Sequence, residues 1–269
     1  NNFESVLEIG SNILSPLIMG WFIVLGEYAG LYTVDTAYKL LMVGALILLT
    51  IGGYLLQSAD IYSEQIDHVT VLHPSRRWNL NRVINVIYQS LSGINFIIPN
   101  ILVLMFVGEE GILGTVESVA AIIASIMLYV VGRKSRPHHS LKIVGVASLV
   151  FLLGTVLYNF TYGHLGSLVY TVTVALTGAV AFNAIYTITM ELMDQEKDAK
   201  TVTNQYALIF DNELFFNLGR VGGMLFFFAV TKYSSQEIAL RFVPVVIGLL
   251  QFALLVPLGR LLPKFDTRT

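Results

Sequence analysis

The sequence predicts an all-α membrane protein with eight transmembrane helices, and three observations carry that expectation. Of the 269 residues, 55% are hydrophobic and only 13% charged, where a soluble domain carries about 25% charged residues. Mean hydropathy is +0.71. Eight stretches can each supply the roughly 20 apolar residues that a helix needs to cross a bilayer core of about 30 Å. This much apolar surface cannot be hidden in one soluble core, because too few polar residues remain to cover it. A soluble enzyme, a disordered chain and a disulfide-stapled secreted domain are therefore excluded. The chain has no cysteine, which removes disulfides, thiolate metal sites and thiol catalysis. Net charge is −2, so no basic field points to nucleic acid. The opening NNFESVLEIG has neither a starting Met nor a basic n-region. No signal peptide is expected, and the chain reads as an excerpt or processed product.

The predicted spans are 5–25, 40–57, 83–107, 112–131, 141–160, 165–190, 205–231 and 242–262. The runs are continuous and lack the period-2 alternation of barrel strands, so they read as helices. The first carries Glu8, Asn12 and Ser15 at helical spacing, and the second (LLMVGALILLTIGGYLLQ) is almost wholly apolar. A polar loop at 58–82 follows, dividing the chain into two helices (1–57) and six (83–269). On the third span, Asn85, Gln89, Ser92 and Asn95 stand at offsets 0, 4, 7 and 10, which is one helix face. Tyr88 borders that face, and Pro99 with Asn100 predicts a kink. The fourth span holds an isolated carboxylate, Glu117, and ends in the basic turn GRKSRP with Arg133, Lys134 and Arg136. The fifth is again apolar. On the sixth, Asn183, Thr187 and Glu191 recur every four residues with Tyr186 beside them. The mixed-charge run ELMDQEKDAK after it reads as a solvated face.

The seventh span is the most unusual, with Asp211, Glu213 and Arg220 inside an otherwise apolar helix. An unpaired charge at mid-bilayer costs about 2.5–3.5 kcal/mol on insertion scales, so these residues must face protein, water or each other. Glu213, Asn217 and Arg220 share a face, with about 10 Å of rise between the two charges; Asn217 or another helix is expected to mediate, and Glu117 is a candidate partner. Gly219 and Gly223 form GxxxG, a close-packing signature. The eighth span is apolar. With both termini cytoplasmic, twelve Lys and Arg fall inside against Lys39, Lys232 and Arg241 outside, a strong positive-inside bias.

At this point the sequence resembles the major facilitator superfamily of secondary transporters, matched to helices five through twelve of the usual twelve. The resemblance implies peripheral helices at the second, fifth and eighth spans, the three most apolar. It implies a long cytoplasmic loop, matching 58–82, and a basic turn between the fourth and fifth spans, matching GRKSRP without the family's acidic residue. The phrase FFNLGRVGG is similar to a late helix of exporters in this superfamily. The implied fold is a six-helix C-terminal half plus two helices of the N-terminal half. The missing N-terminal helices then act as a partner, and the chain alone is expected not to transport.

The expected function is secondary active transport of a small solute across the cytoplasmic membrane by alternating access, with proton coupling and export both within its scope. Asn85, Tyr88, Gln89, Ser92, Asn95, Asn183, Tyr186 and Thr187 would contact solute. Glu117, Asp211, Glu213, Asn217 and Arg220 would supply coupling or gating. The rival is a non-transporting membrane subunit or receptor in which the polar residues serve packing alone. No GxxxxGK[ST], GxSxG or HExxH is present, so no nucleotide-driven or familiar hydrolytic chemistry is expected. The chain is not expected to be an enzyme or to hold a cofactor. The five histidines fall in loops or at span ends, so no metal site is expected either.

Overall fold

The computed structural model describes residues 2–59, 71, 74–134, 139–198 and 205–261, and side chains within them at 10–59, 71, 74–132, 139–197 and 205–261. Every regular element among the described residues is helical: α1 (Asn2–Tyr28), α2 (Val34–Ser58), α3 (Arg76–Phe106), α4 (Glu110–Lys134), α5 (Ser140–Phe160), α6 (His164–Asp198), α7 (Gln205–Tyr233), α8 (Gln236–Ala253) and α9 (Leu255–Leu261). Seven helical segments among the described residues are long and apolar enough to cross a membrane, with α8 and α9 counted as one segment, Gln236–Leu261. Large aliphatic and aromatic side chains stand exposed along them, including Leu49, Leu153 and Phe226. A soluble monomer does not tolerate apolar surface on that scale, so the chain is a multi-pass membrane protein.

Several helices outrun the spans that apolarity marked, α3 and α6 by the most. α3 begins at Arg76 rather than 83, and α6 continues to Asp198 rather than stopping at 190. The extra turns are polar, yet their polar groups are satisfied against one another. The Trp78 amide donates to Ser75 Oγ at 3.0 Å, which caps α3, and the Ser75 hydroxyl donates in turn to the Glu196 carboxylate on α6. Arg77 donates to Gln195 Oε1 at 3.4 Å. Glu196 is buried, so the run after the sixth span is not simply the solvated face its composition predicts.

Contacts divide the chain into two units, Asn1–Gln65 with Val107–Ile122 and Ile66–Phe106 with Ile123–Thr269. In the first, α1 packs on α2 and on the first turns of α4. A Cβ at Gly20 would sit 2.5 Å from the Glu110 carbonyl oxygen, and one at Gly114 would collide with the Pro16 carbonyl, so only glycine permits this approach. Trp21 Nε1 donates to Thr115 Oγ1 at 3.0 Å, and the Ser118 hydroxyl donates to the Ile13 carbonyl at 2.6 Å. α2 buries only Ala37; its middle is almost wholly apolar and the Thr50 hydroxyl there bonds back to the Leu46 carbonyl of its own helix, so its exposed surface suits contact with lipid.

In the second unit α3 is central and packs against α6, α7, α8 and α9, while α5 joins α6 to α8. The core is built on Trp78, Ile98, Leu102, Phe151, Tyr158, Tyr170, Leu208 and Leu240. α5 lends it one face, including the buried Ser148 and Thr155. Prolines interrupt the backbone ladder in a defined way. Pro244 has no N–H, which leaves the Leu240 carbonyl without its helical donor; the Tyr158 hydroxyl of α5 donates to that oxygen at 3.0 Å. α8 gives way to α9 at Leu254, placing Pro257 in the first turn of α9, where a missing N–H costs nothing.

Candidate functional site

The polar residues of α3, α6 and α7 sort into two groups, one buried between helices and one exposed. The buried group runs up α3 every four residues. Arg82 clasps Asp211 of α7, its Nε 2.7 Å from Oδ2 and its Nη2 2.5 Å from Oδ1. Trp78 Nε1 donates to the same Oδ2 at 2.8 Å, and the guanidinium lies over the Phe215 ring at 4.9 Å. Such a bidentate pair is geometrically specific as well as strong. Asn81 Oδ1 accepts from the Thr189 hydroxyl of α6 at 3.1 Å. Asn85 Nδ2 donates to Asn212 Oδ1 of α7 at 2.8 Å. Gln89 Oε1 accepts from Arg220 Nε at 3.1 Å.

Asn85 and Gln89 were expected to line a cavity. Both are fully buried and spend these bonds on α7. Tyr88 is buried, with its hydroxyl 3.5 Å from the Gly178 carbonyl. Asn95 is half-buried and accepts from the Tyr170 hydroxyl at 2.8 Å; Ser92 is half-buried as well. Glycine lets α7 come this close. A Cβ at Gly219 would lie 2.5 Å from the Val86 carbonyl oxygen, one at Gly223 would collide with that of Ser90, and one at Gly93 would lie 2.7 Å from that of Arg220. The GxxxG pair is thus the contact surface for α3.

The exposed group occupies one edge of α7 and the neighbouring side of α6. Glu213, Asn217 and Arg220 are all exposed. Asn217 Nδ2 donates back to the Glu213 carbonyl of its own helix at 2.9 Å, so it does not mediate between the two charged side chains. Gln89 instead engages Arg220, and only through the Nε edge of the guanidinium. Among the described residues, neither Glu213 nor Arg220 has an ion-pair partner. Asp211 stands about 200° round the helix from Glu213 and belongs to the buried group, not to this edge.

On α6, Asn183 is exposed, and Tyr186 and Thr187 are half-buried. Tyr186 lies in the field of the Glu213 carboxylate and stacks on Phe182 at 5.8 Å, while Phe182 meets Phe216 of α7 edge-on at 6.1 Å. The Thr187 hydroxyl donates to the Asn183 carbonyl at 2.8 Å. Glu117 is half-buried on α4 in the first unit. Arg133 and Lys134 end α4, and their side chains, like Arg136 altogether, lie outside the described residues.

Sequence reasoning missed Trp78, Arg82 and Asn212. A signal for the first two was present: a Trp and an Arg at i and i+4, just ahead of a polar stripe with the same spacing. Among the described residues, no group of three His, Cys, Asp or Glu side chains could hold a metal ion. Comparison with known proteins finds no matching family model, no significantly similar curated protein and no significantly similar solved structure.

Proposed function

We propose that the chain is a secondary transporter of the major facilitator kind, moving a small solute across the membrane by alternating access. One observation carries the reading: membrane helix α7 presents Glu213, Asn217 and Arg220 on an exposed edge, with no ion pair to either charge among the described residues. Charges within a membrane span face protein or water, and by default they are functional candidates. In this reading Asn183, Tyr186 and Thr187 of α6 share a hydrated path with that edge, and Gln89 aims the guanidinium. Coupling to protons falls to Glu213.

Thiol labelling in membranes tests the hydrated path. Asn183→Cys and Glu213→Cys react with a water-soluble maleimide, whereas Leu153→Cys on the apolar face of α5 does not; inert cysteines at both polar positions would overturn the path. In the intact transporter, Arg220→Ala abolishes solute flux without lowering the amount of protein in the membrane. Wild-type flux in that variant removes Arg220 from the mechanism. The second reading, a non-transporting subunit, has its own support in Asn81, Asn85 and Gln89, which are committed to interhelical hydrogen bonds of the kind that serve as packing glue. It predicts the inert outcome.

A further inference from the structure

We propose that the groove between α4, α5 and α6 binds an anionic glycerophospholipid, with an acyl chain along the groove and the phosphate at the start of α5. The cavity there measures about 500 Å³, inside the range of about 300–1,000 Å³ typical of ligand sites. Its wall is aliphatic along most of its length, from Val131 on α4 and Val146 and Val150 on α5 to Val180 on α6. Thr177 also lines it, but its hydroxyl is already committed to the Thr173 carbonyl at 2.6 Å.

The basic side chains are confined to one end. His139 and Lys142 both line the cavity, at the first turn of α5. Lys142 is exposed and has no ion pair among the described residues. His139 sits at the N-cap of α5 without a side-chain capping bond. That end of a helix also favours negative charge. From Lys142 to Val150 the wall extends about 12 Å along α5. A cation at one end of an aliphatic trough matches an amphiphile with an anionic head. An inorganic anion would leave the trough unused, and a neutral lipid would leave Lys142 unanswered. The inference is independent of what the chain transports.

Native mass spectrometry of the full chain tests it, with dioleoyl phosphatidylglycerol and dioleoyl phosphatidylcholine supplied in equal amounts. Phosphatidylglycerol should be retained about fivefold over phosphatidylcholine, the worth of one lysine at an anionic headgroup. Lys142→Ala abolishes the preference and Lys142→Arg keeps it. Val146→Trp, at an exposed groove position, fills the trough and lowers retained phosphatidylglycerol to the phosphatidylcholine level. Unchanged helical circular dichroism confirms that the variants fold. Equal retention of the two lipids by the unaltered chain overturns the proposal, as does a preference that survives either Lys142→Ala or Val146→Trp. Complete displacement of phosphatidylglycerol by oleate would assign the groove to a free fatty acid and overturn it too.

Discussion

Asp211 and Glu213 are two residues apart on one helix, yet their surroundings are opposite. Asp211 is buried against Arg82 and Trp78, and Glu213 is exposed without an ion-pair partner among the described residues. Removing one member of a buried ion pair leaves the other charge uncompensated, at a cost of about 3–5 kcal/mol. Because the Arg82 side chain keeps 16% exposure, we expect the lower end of that range for Asp211→Ala, and no change in melting temperature for Glu213→Gln. Thermal unfolding in detergent reads both. Equal losses would mean that the Arg82 clasp is not what holds α3 to α7. The one-face grouping of Glu213, Asn217 and Arg220 was legible from spacing alone, because helical period fixes which residues share a side. The partner of Asp211 was not: Arg82 is 129 positions away, and it looked like the end of a polar loop. The same limit hid the Gln89–Arg220 bond. Periodicity finds a polar face without saying whether a neighbouring helix or water meets it.

Among the helices, those with apolar middles were found easily and their ends were not. The apolar-run rule locates the part of a helix that suits hydrocarbon, so it stops where polar side chains begin. α3 and α6 continue because their polar turns bind each other through Ser75, Arg77, Gln195 and Glu196. Proline was legible as an interruption, but its remedy was not. The Tyr158 hydroxyl serves the Leu240 carbonyl only because Pro244 cannot. Tyr158→Phe should therefore cost about 0.5–1.5 kcal/mol in the native sequence. The same change should cost measurably less in a Pro244→Ala background, where the helix can satisfy that carbonyl itself. A double-mutant cycle by chemical denaturation measures the difference. A coupling of zero would show that the hydroxyl does not stand in for the donor Pro244 lacks, and no cost in either background would leave only its ring, which packs on Tyr170 with centroids 5.0 Å apart.

For the molecule as a whole, composition was decisive. Exposed apolar helices are stable only in lipid, and the sequence carried that in its hydropathy. Sidedness rests on the distribution of Lys and Arg, and it is open to direct measurement. Lys197 near the end of α6 and Tyr233 at the end of α7 are separated by one crossing. Tyr233→Cys should react with an impermeant maleimide added to intact cells, and Lys197→Cys only after the membrane is opened. Labelling of both from the same side would remove the crossing by α7. What composition could not reveal is how tightly individual helices are bound.

α3 and α7 are fastened at successive levels: the Arg82–Asp211 clasp, the Asn85–Asn212 amides, and the glycine contacts reaching Gly223, about 18 Å of helix in all. Sliding one past the other would break every level together. Any rearrangement of the helices must therefore move the two as a single strut, and adjustment at the exposed edge is left to the unfastened side of the Arg220 guanidinium.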